Sequence, residues 1–296
     1  MNYLAPTSVE EAAKVLAETP SAKVFAGATD VIPQFRAGRP EPDLLVDLKR
    51  IERLISIEGH ADRWVIGAAA PTSRLTEHRE LSAEFPGLVE AAGLIGSDQI
   101  QNRSSLGGNL CNGSPAADSV PAMMVNDMRA VIASTAGIRT VPVADVVTGP
   151  GRTSLADGEF VIEFELDRPD ARVGDAYLRM IPRTEMDIAV AGAAARLRID
   201  DSGVCRSAAV ALGAVAPTAV SVPDAAQALV GAALIDPDGG RFDERVLASV
   251  AEAASAVCDP IDDKRAPAAY RRQVTGVLAK RAVRLAAERA VAGRGE

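Results

Sequence analysis

Two glycine-bearing stretches limit what this chain can become. One is Phe25-Ala26-Gly27-Ala28-Thr29-Asp30. The other, Ser104-Ser105-Leu106-Gly107-Gly108-Asn109, runs on through Leu110-Cys111-Asn112-Gly113-Ser114-Pro115-Ala116-Ala117-Asp118. From Ser104 to Ala117 no side chain is charged, while Gly, Ser and Asn crowd together. Backbone this bare can approach a ligand closely and turn its N–H groups toward an anion. Taken alone, the first stretch reads more readily as an ordinary turn after a strand than as a phosphate site. Taken together, the two imply an extended ligand gripped from two sides, for which a dinucleotide is the natural candidate.

Other nucleotide signatures are missing. No G-x-G-x-x-G follows a strand, because Gly149-Pro150-Gly151 lacks the third glycine, and no G-x-x-x-x-G-K-[ST] occurs. Charge excludes further classes: 32 Lys and Arg against 40 Asp and Glu leave a net −8, a poor match to nucleic acid or an anionic membrane. The start of the chain carries no basic and apolar leader, and no apolar run reaches the length of a membrane span. Cys111, Cys205 and Cys258 are widely spaced and form no CxxC, which fits a reducing compartment, and the expected location is cytoplasmic. Three thiols cannot hold an iron–sulfur cluster alone, and His60 and His78 are too few for a His-based metal site. They are equally poor candidates for the base of a Ser-His-Asp triad. Cys111 reads either as a nucleophile or as a small side chain filling space, and no activating partner accompanies it.

Periodicity predicts an α/β unit over residues 1–58. A capped helix begins near Val9, a strand at 23–26 feeds the first glycine stretch, and a short helix from Pro33 ends at Gly38. Strands are expected at 44–48 and 54–58. A second unit opens with the buried-strand pattern 64–70. It continues through helices opened by Pro71 and Pro86 and one over 115–125, paired strands at 128–134 and 140–143, and a strand at 159–166. From about Tyr177 the pattern changes to alternating Ala/Val runs, 188–199 and 204–215, around Asp200-Asp201-Ser202-Gly203, a hairpin signal. Helices follow at 224–230, 243–257 and 267–292. The basic residues of the last read as a solvated face. Asp118 has two readings: N-cap of the following helix, or acceptor for a ligand hydroxyl or ring N–H. Arg179, Arg183 and Asp187 alone read as surface ion pairs.

The ordered set of motifs resembles a known family, the FAD-binding medium subunit of molybdenum-containing hydroxylases such as xanthine dehydrogenase and carbon monoxide dehydrogenase. The matching segments are Ala26 to Asp30, Gly67 to Thr72, Gln99 to Cys111 with Ser114 to Ser119, Gly149 to Thr153, Arg183 to Ala189 and Asp262 to Arg272. The resemblance implies an α+β fold. An FAD-binding domain of the vanillyl-alcohol-oxidase (PCMH) type, 1–175, would have subdomains at about 1–58 and 59–175. A smaller domain of a three-stranded sheet plus helices, 176–296, would follow.

It also implies that Lys23, Val24, Phe25, Ala26, Gly27, Ala28, Thr29, Asp30 and Val31 wrap the diphosphate and adenosine side of FAD. Ser105, Gly107, Gly108 and Asn109 would face the phosphates, and Asp118 the ribityl or flavin end. Ile95, Val161 and Arg179 would line the flavin or adenine, with Arg183 and Asp187 bracing the domain interface. No catalytic residue and no metal ligand is expected in this chain. Molybdopterin and [2Fe-2S] clusters would sit in a large and a small partner subunit, in a dimer of heterotrimers, with FAD passing electrons to an external acceptor. Departures from the family pattern fall at Ala28, Gln101 and Ser104. Two other readings stay open: a self-sufficient flavin oxidoreductase of the same fold, and an assembly subunit without flavin.

Overall fold

In the computed structural model, described for residues 1–170, 172–236 and 241–292, three layers of structure follow one another along the chain. The last residues of the expected second domain, 293–296, lie outside the described residues. The first unit contains β1 (Asn2–Leu4), α1 (Val9–Glu18), β2 (Lys23–Phe25), α2 (Val31–Arg36), β3 (Leu44–Asp47) and α3 (Glu52–Ile55). Its strands form a parallel sheet in the order β1-β3-β2, with α1 packing Ala12, Ala13 and Leu16 into the core. Ser8 caps α1 through the N–H of Glu11 at 3.1 Å, and Glu11 reaches back to the N–H of Thr7 at 2.8 Å. The expected strand at 54–58 divides instead: α3 ends at Ile55, and an edge strand begins at Ile57. The short helix turn lays the Leu54 carbonyl against Gly67, where any Cβ would overlap it. A brief apolar run cannot by itself distinguish helix from strand.

The second unit runs β4 (Ile57–Gly59), β5 (Arg63–Gly67), α4 (Thr72–Thr76), α5 (Arg79–Glu84), α6 (Pro86–Gly93), α7 (Asp98–Gln101), α8 (Leu106–Cys111), α9 (Ser119–Val125), β6 (Arg129–Ser134), β7 (Gly137–Pro142), β8 (Val147–Gly149), β9 (Arg152–Thr153) and β10 (Phe160–Asp167). Its main sheet is antiparallel, in the order β4-β5-β10-β6-β7. Alternate residues enter different cores. Ile66, Ala130, Ile132 and Phe164 join the core under the helices, whereas Val131, Ala133, Phe160 and Ile162 join the one under the first unit. Burial on both faces explains why β5, β6 and β10 read as nearly unbroken apolar runs. The second glycine stretch is partly helical, as α8. Its two glycines conceal this in the sequence, since each disfavours a helix by about 1 kcal/mol relative to Ala.

The third unit is a meander, β11 (Val173–Met180), β12 (Ala191–Ile199), β13 (Cys205–Gly213) and β14 (Val220–Ser221), backed by α10 (Pro223–Leu229), α11 (Glu244–Ala256) and α12 (Ala268–Ala292). The two-residue β14 adds a fourth strand to the expected three. Gly203, at φ +80°, turns the predicted hairpin. Small residues let α12 lie almost on the sheet; a Cβ on Gly174 would overlap the Ala286 carbonyl.

One face of β11 docks this sheet onto the second unit. Asp175, Tyr177 and Arg179 alternate along it, pointing the same way. The buried Asp175 carboxylate accepts from the N–H groups of Gly87 and Leu88 and from Asn126 Nδ2, each at 2.9 Å, and so caps α6 from another sheet. Burial pushes its pKa up, and these donors oppose that shift. Replacing Asp175 with Ala leaves buried donors unpaired, so unfolding in urea should show a loss of about 2–3 kcal/mol. Asp175→Asn, which keeps one acceptor, should lose less; equal stability of all three proteins would contradict this role.

Candidate functional site

The two glycine stretches meet. Gly27 lies so close to the Arg103 carbonyl, just before the second stretch, that a side chain there would overlap it. Gly107 also lies against the backbone of Ala68, which a Cβ would overlap and to whose carbonyl its N–H donates at 3.0 Å. Between the stretches opens a cleft of about 280 Å³. It is lined by every expected residue of the first stretch, Lys23, Val24, Phe25, Ala26, Gly27, Ala28, Thr29, Asp30 and Val31. Ile95, Ser105, Gly107, Gly108, Asn109 and Val161 line it as well.

The two walls differ chemically. Among the described residues, the N–H groups of Ala28, Thr29 and Asp30 have no hydrogen-bond partner, so they are available to an anion. In the second stretch the N–H groups are largely spent. That of Gly107 goes to Ala68, that of Gly108 to Ser105 Oγ at 3.1 Å, and that of Asn109 to the Ser105 carbonyl. Ser105 therefore serves as the N-cap of α8, and this wall offers close approach at the exposed Gly108 rather than a row of free donors. Asn109 is fixed from behind, its Oδ1 accepting from Ser119 N–H at 3.3 Å and Ser119 Oγ at 2.7 Å.

A supporting tier holds both walls. Tyr3 donates to Asp47 at 2.8 Å, and Lys49 Nζ bridges Asp47 at 2.6 Å and the Ala26 carbonyl at 2.7 Å beneath the first stretch. Thr72 holds the second, its N–H donating to the Ser104 carbonyl at 2.9 Å and its hydroxyl pairing with Ser104 Oγ at 2.8 Å. The departure at Ser104 thus has a partner, and so does Gln101, which donates to the Gly93 carbonyl at 2.6 Å. Asn112 and Thr153, which the sequence marked only as parts of motifs, also line the cleft, as do Gln34 and Arg39, which it did not mark. Cys111 lies there too, but burial pushes its thiol up to about 12, which suits a space-filling role and not a nucleophile.

Asp118 and Arg179 fall outside this lining. Asp118 occupies the N-cap position of α9, but its side chain makes no cap bond to the helix. It accepts instead from Tyr177 Oη at 2.8 Å and Arg179 Nη1 at 2.6 Å, both carried by β11, which the local sequence could not reveal. Burial raises the Asp118 pKa, and Arg179 and Tyr177 oppose the rise. Arg179 retains one buried donor, Nε, without a partner among the described residues. Arg183 and Asp187 do pair, at 3.5 Å, and Arg265 joins Asp187 at 3.3 Å. The buried Arg271 ties the same loop to the tail, donating to the Val190 carbonyl and to Asp263, both at 2.7 Å.

Residues 1–168 match the FAD binding domain in molybdopterin dehydrogenase, and residues 176–286 the CO dehydrogenase flavoprotein C-terminal domain. The chain belongs to this family: it is an FAD-binding medium subunit of the molybdenum hydroxylase type. It is 32% identical to the carbon monoxide dehydrogenase medium chain of Hydrogenophaga pseudoflava, over 96% of each chain. It is 33% identical to the xanthine dehydrogenase FAD-binding subunit of Escherichia coli O157:H7, over 86% of this chain and 87% of that one. A solved carbon monoxide dehydrogenase from H. pseudoflava superposes with a TM-score of 0.90, at 31% identity and 98% coverage of both chains. The cleft fits FAD: unpartnered N–H groups suit a diphosphate, and Phe25, Ile95, Leu155 and Val161 offer apolar wall.

Two predictions follow from this geometry. Ala28 sits at φ +61°, a left-handed conformation that costs an L side chain about 1–2 kcal/mol. Ala28→Gly relieves that cost against about 0.5–1 kcal/mol of added chain entropy. It should therefore raise the urea midpoint slightly and leave flavin bound; a lower midpoint would show that Ala28 is not strained. The second concerns acid. Burial pushes the Asp263 carboxyl up, but the N–H of Arg265, the Arg271 guanidinium and the N–H of Ala266 together hold it at about 2. Its folded pKa lies below the ordinary 3.8, so its stabilising contribution is present above that value and lost as pH falls toward 2. Asp263→Asn should lower thermal stability at neutral pH and shrink the gap from wild type across that acid window; a constant gap would refute it.

Proposed function

We propose that this chain is the electron-relay subunit of a heteromeric molybdenum hydroxylase in the cytoplasm. A large molybdopterin-binding subunit oxidises substrate, a small [2Fe-2S] subunit conducts electrons inward, and this chain holds the FAD from which an external acceptor is reduced. The assembly is a dimer of such heterotrimers, and the chain divides at 175/176. FAD supplies the chemistry the side chains lack, since it takes electrons singly and gives them up in pairs.

The residues of this chain bind and orient. The first stretch, Lys23 to Val31, holds the diphosphate through its open N–H groups, and Gly108 lets the second wall come close. Asp118, held from β11 by Arg179, acts at the flavin end. The meeting of both glycine stretches in one cleft carries this reading. The lining contains no poised acid–base pair: its ionisable groups are Lys23, Asp30, Arg39 and the neutral thiol of Cys111. Asp30 is open to solvent, and the protein around it pushes its carboxyl pKa up. The phenol of Tyr177 lies outside the lining, and its O–H is committed to Asp118 at 2.8 Å. That disfavours a self-sufficient oxidoreductase.

The test is to tag the chain in its own cells, purify it gently, and record both the visible spectrum and the co-purifying subunits. Oxidised-flavin bands that bleach on reduction, together with a molybdopterin subunit and an iron–sulfur subunit, are expected. A folded but colourless protein would overturn the flavin role, and a lone coloured chain that turns over substrate would overturn the relay.

A further inference from the structure

The cleft has a charge problem that its glycines do not solve. Among its lining residues Lys23 and Arg39 are cations and Asp30 is an anion, so without Arg39 the charges cancel. A diphosphate brings about two negative charges at neutral pH. Arg39 is also the placed cation of the two. Gly38, at φ +93°, ends α2 in a left-handed turn, where its N–H donates to the Phe35 carbonyl at 2.9 Å and that of Arg39 to the Gln34 carbonyl at 3.0 Å. This reversal lays Arg39 back over its own helix.

Its side chain is then fixed by a relay. Arg39 Nη1 donates to Gln34 Oε1 at 3.0 Å, and Gln34 Nε2 donates across the cleft to Asn112 Oδ1 at 2.8 Å. Asn112 is the C-cap of α8 in the second stretch, so one hydrogen-bonded bridge joins the two walls and carries a guanidinium. No carboxylate lies within ion-pair distance of Arg39 among the described residues, and its Nε and Nη2 groups donate to nothing there.

We propose that Arg39 is a ligand-contacting cation of the diphosphate subsite, with Gln34 and Asn112 as the residues that position it. The proposal rests on the reading of the cleft as the FAD site. An oriented guanidinium matches phosphate oxygens with two parallel donors, which an ammonium cannot do.

The test is a titration of flavin-stripped protein with FAD, FMN and riboflavin, followed by flavin fluorescence and not by turnover. Arg39→Gln should weaken FAD about 10- to 100-fold, the range for losing a charge-assisted hydrogen bond. It should leave riboflavin, which has no phosphate, unchanged, and should flatten the decline of FAD affinity with salt. Arg39→Lys should recover only part of the loss, and Gln34→Ala should weaken FAD by a smaller factor with Arg39 intact. FAD affinity in Arg39→Gln equal to wild type, or an equal loss for riboflavin, would overturn the assignment. Folded wild-type protein that takes up none of the three would overturn the FAD reading itself, an outcome distinct from any change confined to Arg39.

Discussion

The backbone contact between Gly27 and the Arg103 carbonyl is the constraint on which the rest of this molecule depends. It joins a parallel sheet built from the first fifty residues to an antiparallel sheet and its helices, with no side chain between them. At that separation any substituent at position 27 forces the walls apart, and the cleft between them loses its width. Lys49 reinforces the contact from below through the Ala26 carbonyl, and Thr72 does so from the other side through Ser104. The site is thus made by two backbones brought together and secured by polar residues that do not face the ligand.

The third unit reaches the second through β11, through the Ala214 N–H, which donates to the Pro115 carbonyl at 2.7 Å, and through Arg289 of α12, which pairs with Glu90. Asp175, Tyr177 and Arg179 share a face of β11, and each reaches a group in the second unit: the start of α6, or the carboxylate just before α9. Gly192 on the neighbouring strand leaves room for the Tyr177 phenol, which a Cβ would crowd at 2.5 Å. Ser119, next to Asp118, holds Asn109. The position of one amide in the cleft is therefore linked through two bonded neighbours to a sheet that lines no part of it.

What the sequence disclosed and what it hid follow from how local each cause is. Gly27, Gly107 and Gly108 were legible because glycine is the residue that permits close approach, and Ala28 was legible as a departure from the family pattern. The helix over residues 106–111 was hidden because its two glycines argue against it, while its cap, Ser105, argues quietly for it. Asp118 was placed near the ligand or at a helix start. Its partners come from a strand about sixty residues onward, and no spacing rule reaches that far. The strand expected at 54–58 failed because four apolar-rich residues fit a helix turn as well. Arg39 looked like any exposed basic residue; only the turn at Gly38 and the reach of Gln34 give it a direction.

The order of these parts along the chain has a consequence for biosynthesis. Every residue lining the cleft lies between Lys23 and Val161, ahead of β11. A ribosome therefore finishes both walls, and the strands beneath them, before the first residue of the docking face emerges. Asp118 meanwhile waits, buried in prospect but still exposed to water, for Tyr177 and Arg179 to be made. The loop around Asp187 waits longer, because Arg271 belongs to the last helix. The cleft is the early product of translation, and the clasp on Asp118 is the late one.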